Sequence, residues 1–203
     1  MIEQGSAEWI AMRLGKVTAS RVADVIARTK TGWGASRSNY AAQLIVERLT
    51  GIVGETYTNA AMQWGIEKEE EARDAYEFRT GNDVEKIDFV PHPSIEMSGA
   101  SPDGLILDEG LVELKCPNTA THIETLLSKS VAARYQTQMQ WQMACTNRKW
   151  CDFVSYDPRL PESMRLFIHR VPRSDAVISD LQKEVTTFLS EIDDTIEKLK
   201  ASY

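Results

Sequence analysis

The chain has 203 residues, 42% of them hydrophobic, enough to bury a core in one large domain or two small ones. Its net charge of −7 argues against a bulk-basic nucleic-acid coat or a non-specific groove binder, while leaving room for an enzyme that gathers its cations locally. No apolar run approaches the roughly 18 residues of a membrane span, and the opening Met1-Ile2-Glu3-Gln4-Gly5 lacks the basic and apolar regions of a signal peptide.

The cysteines, at 116, 145 and 151, are odd in number and wrongly spaced for a zinc site or a disulfide framework, so a reducing cytoplasm is the simplest compartment. His92, His122 and His169 are isolated, which weighs against a zinc hydrolase. His122 and His169 read as satisfied or exposed histidines rather than ligands. There is no internal repeat, low-complexity tract or linker, and the whole chain, 1–203, reads as a single domain.

In chain order, Ser6 is placed to cap a short helix running to Arg13. Thr18 is the expected N-cap of a second helix, with Val22, Val25 and Ile26 facing inward. Residues 28–37 form a Gly-containing loop that carries Arg28, Lys30 and Arg37 but no acid, with Trp33 in its middle. A helix over 39–49 stops near Gly51, and a strongly acidic helix spans about 58–79 with Gly81 as C-cap. Strand-like segments follow at 84–90, 104–107 and 111–116. The next helix, 131–145, carries Tyr135, Met139 and Met143 at helical spacing. Strands at 149–156 and 165–171 precede a last helix, 175–200, with one apolar stripe. Helices, a meander of strands, a helix across it, then strands and a helix describe an α/β fold with a central mixed sheet.

The chemistry is concentrated in one hairpin. Ser101-Pro102-Asp103-Gly104 opens it, Asp108-Glu109-Gly110 turns it, and Glu113-Leu114-Lys115 closes it. Alternate strand residues share a face, so Glu113 and Lys115 point one way while Val112 and Leu114 point to the core. Asp103 lies across the turn from them. Mg²⁺ takes oxygen ligands and usually keeps waters, so the Asp103 and Glu113 carboxylates with the Leu114 carbonyl would suffice to bind it. Such an ion polarises a phosphate and acidifies water, and Lys115 is suited to orient that water and offset growing charge. Glu69, on the acidic helix, offers a carboxylate for a second metal. Its neighbours Glu67, Glu70 and Glu71 read as a solvated face. Read without further context, the same pattern also fits a surface hairpin of ordinary solvated charges.

Further blocks surround the hairpin: Trp9-x-x-x-Arg13-Leu14-Gly15 with Thr18-Ala19-Ser20, Trp64-Gly65 before Glu69, Tyr135 with Gln138-x-Gln140 and Met143, and Tyr156-Asp157-Pro158-Arg159. With Ser101-Pro102-Asp103-Gly104 and Glu113-Leu114-Lys115-Cys116-Pro117, this order resembles the phage lambda exonuclease family, the YqaJ-like viral recombinase nucleases. The resemblance spans Trp9 to Arg159. It implies a restriction-endonuclease-like core of the PD-(D/E)xK type, and it makes Asp103, Glu113 and Lys115 catalytic. It also implies a Mg²⁺-dependent deoxyribonuclease, with Mn²⁺ able to substitute. Such an enzyme digests one strand of linear double-stranded DNA 5′-to-3′ into mononucleotides and leaves a 3′ overhang. A homotrimeric ring, a single-strand annealing protein as partner in recombination, and a phage or prophage origin in a bacterial host come with the family.

Carried over residue by residue, Arg13 and Ser20 match the residues that hold the 5′-phosphate, and Ser101 and Gln140 match residues near it. Independently of the family, Arg13 beside a helix start at Thr18 would make a phosphate cradle, or simply a surface arginine and a cap. Arg28, Lys30, Trp33 and Arg37 would contact DNA from their loop, or belong to a solvated one. The alternative activity is a structure-specific or nicking endonuclease of the same fold. The other class of reading is a catalytically dead DNA-binding module, against which the intact Asp103, Glu113 and Lys115 speak. Cysteines at these spacings cannot supply the four thiolates of an iron–sulfur cluster.

Overall fold

The computed structural model describes residues 6–54 and 60–203, the side chains at 61 and 62 excepted. The opening pentapeptide, and residues 58 and 59 where the acidic helix is expected to begin, lie outside the described residues.

Helix α1 (Ala7–Arg13) starts where Ser6 accepts the Trp9 N–H, the cap that the sequence predicts. Thr18 departs from expectation. Residues Val17–Thr18 form a short strand, β1, and Thr18 makes no side-chain cap bond. Its backbone is extended because β1 pairs in parallel with a later strand, Thr18 opposite Gly99, and its N–H donates to the Tyr40 hydroxyl. The chain then passes through a 3₁₀ turn, Ala19–Arg21, into the short helix α2 (Val22–Val25).

The 28–37 segment is likewise not a loop. It is a hairpin, β2 (Arg28–Thr29) against β3 (Gly32–Trp33), running into helix α3 (Ala35–Thr50). Helix α3 ends at Gly51, whose φ of 69° is the left-handed conformation a C-cap favours. The acidic helix α4 covers Ala60–Thr80.

The segment expected to be one strand over 84–90 splits. Residues Val84–Glu85 (β4) pair with one sheet and Val90–Pro91 (β5) with another. Strand β5 joins Ser98–Ala100 (β6), a strand too short and glycine-containing to show an alternating pattern. Gly99 is required here, since a Cβ on it would lie 2.3 Å from the Phe89 ring and 2.6 Å from the Val90 carbonyl. That close approach carries the chain from β6 straight into Ser101 and Asp103.

Strands β7 (Gly104–Ile106) and β8 (Gly110–Lys115) form the predicted hairpin, with Gly104 opposite Val112. Helix α5 (Thr119–Ser128) was not anticipated. Its β-branched and polar residues hide the helical period, although Asn118 after Pro117 is an N-cap signal, and Asn118 does accept the Thr121 N–H. Helix α6 (Ala133–Thr146), β9 (Trp150–Tyr156), β10 (Leu166–Pro172) and helix α7 (Asp175–Ser202) complete the chain, with a 3₁₀ turn at Glu162–Met164.

The main sheet has the order β10-β9-β8-β7-β4, with β8 and β9 parallel and the other pairs antiparallel. Strand β8 is central and covered on both faces. Val112 and Leu114 pack with Tyr76 of α4, Ile106 and Val154. Leu111, on the other face, joins Met139 and Met143 of α6, with Cys151 and Phe153. A buried aliphatic side chain contributes about 1.5–3 kcal/mol, and a slip of one residue would exchange the two faces. Register is therefore held by the apolar residues, and they fix which way Glu113 and Lys115 point. Helices α2, α3, α6 and α7 share a separate cluster around Trp141, Tyr40 and Phe188.

Candidate active site

The hairpin brings Asp103, Glu113 and Lys115 together. The Leu114 N–H donates to Asp103 Oδ2 at 2.7 Å, tying the start of one strand to the end of the next. Glu113 has no exposed surface at all. Its charge is met by three polar groups: Lys115 Nζ and Gln138 Nε2 at Oε1, and Gln142 Nε2 at Oε2, with both glutamine distances 2.6 Å. Lys115 also lies 5.5 Å from the centre of the Tyr135 ring, which stacks on Phe153.

The electrostatics show an excess of negative charge. Burial first, then the neighbouring Glu113, and Glu69 as well, raise the Asp103 carboxyl well above its ordinary value, against the pull of Lys115 and the Leu114 N–H. Glu69 of α4 is thus close enough to act on Asp103, though its own carboxylate is engaged by Arg73 at 2.9 Å. Burial alone would lower the Lys115 ammonium, but Glu113 and Asp103 outweigh it and raise its pKa. Lys115 is therefore cationic at neutral pH, a donor of charge rather than a base. Cys116 turns away from this group into a cluster with Ala72 and Tyr156, and burial pushes its thiol up to about 12.

Among the described residues, no three His, Cys, Asp or Glu side chains converge as they stand on one ion position. The donor set nevertheless fits a divalent cation. Two carboxylates face each other with too little positive charge to keep both ionised at ordinary cost, and hard oxygen donors that leave room for water suit Mg²⁺.

A second polar group adjoins the first. Arg13 Nη1 donates to Ser101 Oγ at 3.3 Å, two residues before Asp103, and the guanidinium lies 3.8 Å from the centre of the Trp9 ring. Burial lowers its pKa to about 10, with Tyr40 and Glu47 opposing, so it stays cationic. Thr18 Oγ1 is 3.5 Å from Ser20 Oγ, and Ser20 is exposed. The β1–β6 pairing sets Thr18 opposite Gly99, two residues before Ser101.

Other predicted residues fall elsewhere. Gln140 is buried with its amide committed at both ends, Nε2 to the Pro172 carbonyl and Oε1 to the Ser174 N–H, so it ties β10 to α7 rather than facing a phosphate. The glutamines that face the carboxylates are Gln138 and Gln142, and their i, i+4 spacing was the signal. Arg28 of β2 and Arg37 of α3 lie 3.9 and 4.1 Å from the centre of the Trp33 ring. Arg28 pairs with Glu184, and the buried Arg37 pairs with Glu191 at 2.6 Å. Lys30, near the tip, is exposed and outside any ion pair among the described residues. The histidines are not ligands as they stand. His122 is buried between Ser155 Oγ and the Met164 carbonyl, His92 bonds Gln182, and His169 is exposed.

An α/β fold with acidic residues and a lysine at the end of a central hairpin defines a restriction-endonuclease-like nuclease. The family model for the YqaJ-like viral recombinase domain matches residues 8–149, and the chain belongs to that family. It is similar to the alkaline exonuclease LHK-Exo of Laribacter hongkongensis, 53% identical over 97% of each chain, with a TM-score of 0.90. The structure of LHK-Exo in complex with dAMP matches at 53% identity and a TM-score of 0.91, again over 97% of both chains. A phage-related exonuclease from Haemophilus somnus 129PT shares the fold at 17% identity and a TM-score of 0.75, over 91% of this chain and 96% of that one. No protein of curated function matches the chain. The chain is a nuclease of the viral recombinase family.

Proposed function

We propose that this nuclease is a Mg²⁺-dependent exonuclease that digests one strand of linear duplex DNA from its 5′-phosphorylated end, releasing mononucleotides and leaving a 3′ single strand for recombination by annealing. The observation that carries the reading is the contact between Arg13 and Ser101. A partly desolvated guanidinium held on the Ser101 hydroxyl is suited to an anion, and it adjoins the cutting group two residues from Asp103. Arginine binds phosphate with paired, charge-assisted hydrogen bonds.

Asp103, Glu113 and the Leu114 carbonyl would hold the Mg²⁺, with Glu69 available to a second ion and Mn²⁺ able to replace either. Bound there, the metal supplies Lewis acidity to the phosphate and to water. Lys115 orients the attacking water and offsets the charge gathering on the phosphate oxygens. Water oxygen bonds to phosphorus, the P–O3′ bond breaks, and the 3′ oxygen leaves with a proton. Each cut releases a nucleotide 5′-monophosphate only if the bond cut lies one nucleotide in from the bound end. The relative that holds dAMP is consistent with such a product. Lys30, at the hairpin tip, reaches for the duplex phosphates.

The ring trimer, the annealing partner and a cytoplasmic setting belong to the same proposal. Three buried, unpaired cysteines suit a reducing compartment, and no described helix is long and apolar enough to cross a membrane. A native mass of three chains of 22.9 kDa is expected. The decisive assay compares linear duplexes with 5′-phosphate and 5′-hydroxyl ends beside a closed circle, all with Mg²⁺. Rapid loss of the phosphorylated strand, slow loss of the hydroxyl end and an intact circle are expected. Equal rates on the two ends would remove the Arg13 site from the reading, and digestion of the circle would favour a nicking or structure-specific endonuclease.

A further inference from the structure

Gln142 has no place in the chemistry described so far, yet it is among the most enclosed polar side chains of the molecule, with no exposed surface. It lies on α6 one turn beyond Gln138. Its Nε2 donates to Glu113 Oε2 at 2.6 Å. The other carboxylate oxygen, Oε1, has two partners, Lys115 and Gln138. An ionised carboxylate only accepts, so the Gln142 amide is obliged to turn its nitrogen toward Glu113. Its own Oε1 is then buried with no donor to meet it. An unpartnered buried carbonyl costs stability, and an apolar side chain of the same length would avoid that cost. It would also leave the buried Glu113 Oε2 without its donor, so the amide at this position is there for Glu113.

We propose that Gln142 is a positioning residue for Glu113. It holds Oε2 in a fixed direction, prevents the carboxylate from rotating wholly onto Lys115, and leaves a lone pair on that oxygen for a divalent cation. The inference rests on the reading of Asp103 and Glu113 as metal ligands. Donors behind a metal-binding side chain typically change metal affinity about 10–100-fold.

The test measures Mn²⁺ binding to the DNA-free protein by electron paramagnetic resonance, together with melting in chelator and steady-state digestion of linear duplex. The proteins are wild type, Asp103→Ala, Gln142→Met and Gln142→Leu. Gln142→Met is expected to melt somewhat below wild type in chelator, because the buried Glu113 Oε2 loses its donor, to bind Mn²⁺ about 10–100-fold more weakly, and to lose kcat at low metal with KM for DNA unchanged and activity regained at high metal. Leucine provides the same readouts if methionine does not fold. Wild-type Mn²⁺ affinity in the folded variants, with or without a lower melting temperature, overturns the inference alone and makes Gln142 a packing residue. Wild-type protein that binds Mn²⁺ no better than Asp103→Ala overturns the metal reading itself, and this inference with it.

Discussion

Asp103 sits where its charge is least welcome. Because its folded-state carboxyl is raised above the ordinary value by burial and by Glu113, the group favours folding below its unfolded pKa and opposes it as pH rises through the folded value. The metal-free protein should therefore lose stability toward neutral and alkaline pH, and a divalent ion should restore it. Asp103→Asn keeps an acceptor for the Leu114 N–H and removes the charge. It should melt higher than wild type in chelator at neutral pH, by about 2–4 °C if the gain is about 1 kcal/mol, while digestion falls on the order of 10³-fold or more. A variant that melts lower in chelator would mean that the carboxylates are not in conflict. Asp157 shows the opposite sign. Burial alone would raise its carboxyl, but hydrogen bonds from Arg159 and Thr119 outweigh it and bring it to about 2. Its contribution is present above about pH 4 and lost as pH falls from there toward about 2. Asp157→Asn should remove that acid-dependent part of the unfolding free energy, as read by denaturant titration at each pH.

At the level of elements, α6 has two jobs on two faces. Met139 and Met143 pack against the sheet, Gln138 and Gln142 reach Glu113, and Gln140 anchors the approach to α7. The even-numbered run of glutamines is visible in the sequence, and so is its division into two faces. Which face meets Glu113 is not, because that depends on the rotation of α6 over β8. The β2–β3 hairpin teaches the same lesson. Arg28, Trp33 and Arg37 look like a basic aromatic loop, but Glu184 and Glu191, some 150 residues later, claim both arginines. Arg37→Ala should destabilise the protein by about 1–2 kcal/mol, discounted because Glu191 is half exposed, with little effect on DNA binding. Lys30→Ala should leave the melting temperature alone and lower the salt slope of DNA binding by about 1.

Over the whole molecule, an acidic chain that handles DNA must keep its cations where the DNA lies. Many of its arginines are instead spent internally, on Asp152, Asp157, Glu191 and Asp193. The cations left near the cutting group, Arg13 and Lys115, are half-buried and held by specific partners. Association with DNA should then be weak in the absence of a suitable end.

The sequence by itself determined the hairpin, the residues on it and the family they belong to. These are local matters: alternation over a few residues, a turn of Asp-Glu-Gly, and blocks in a recognisable order. The tertiary structure decided the rest. Thr18 became a strand residue because β1 pairs with β6, the segment over 84–90 divided between sheets, and Gln142 rather than Gln140 came to face Glu113. Each depends on contacts between residues far apart in the chain, whose energies exist only once the sheet and its covering helices have packed.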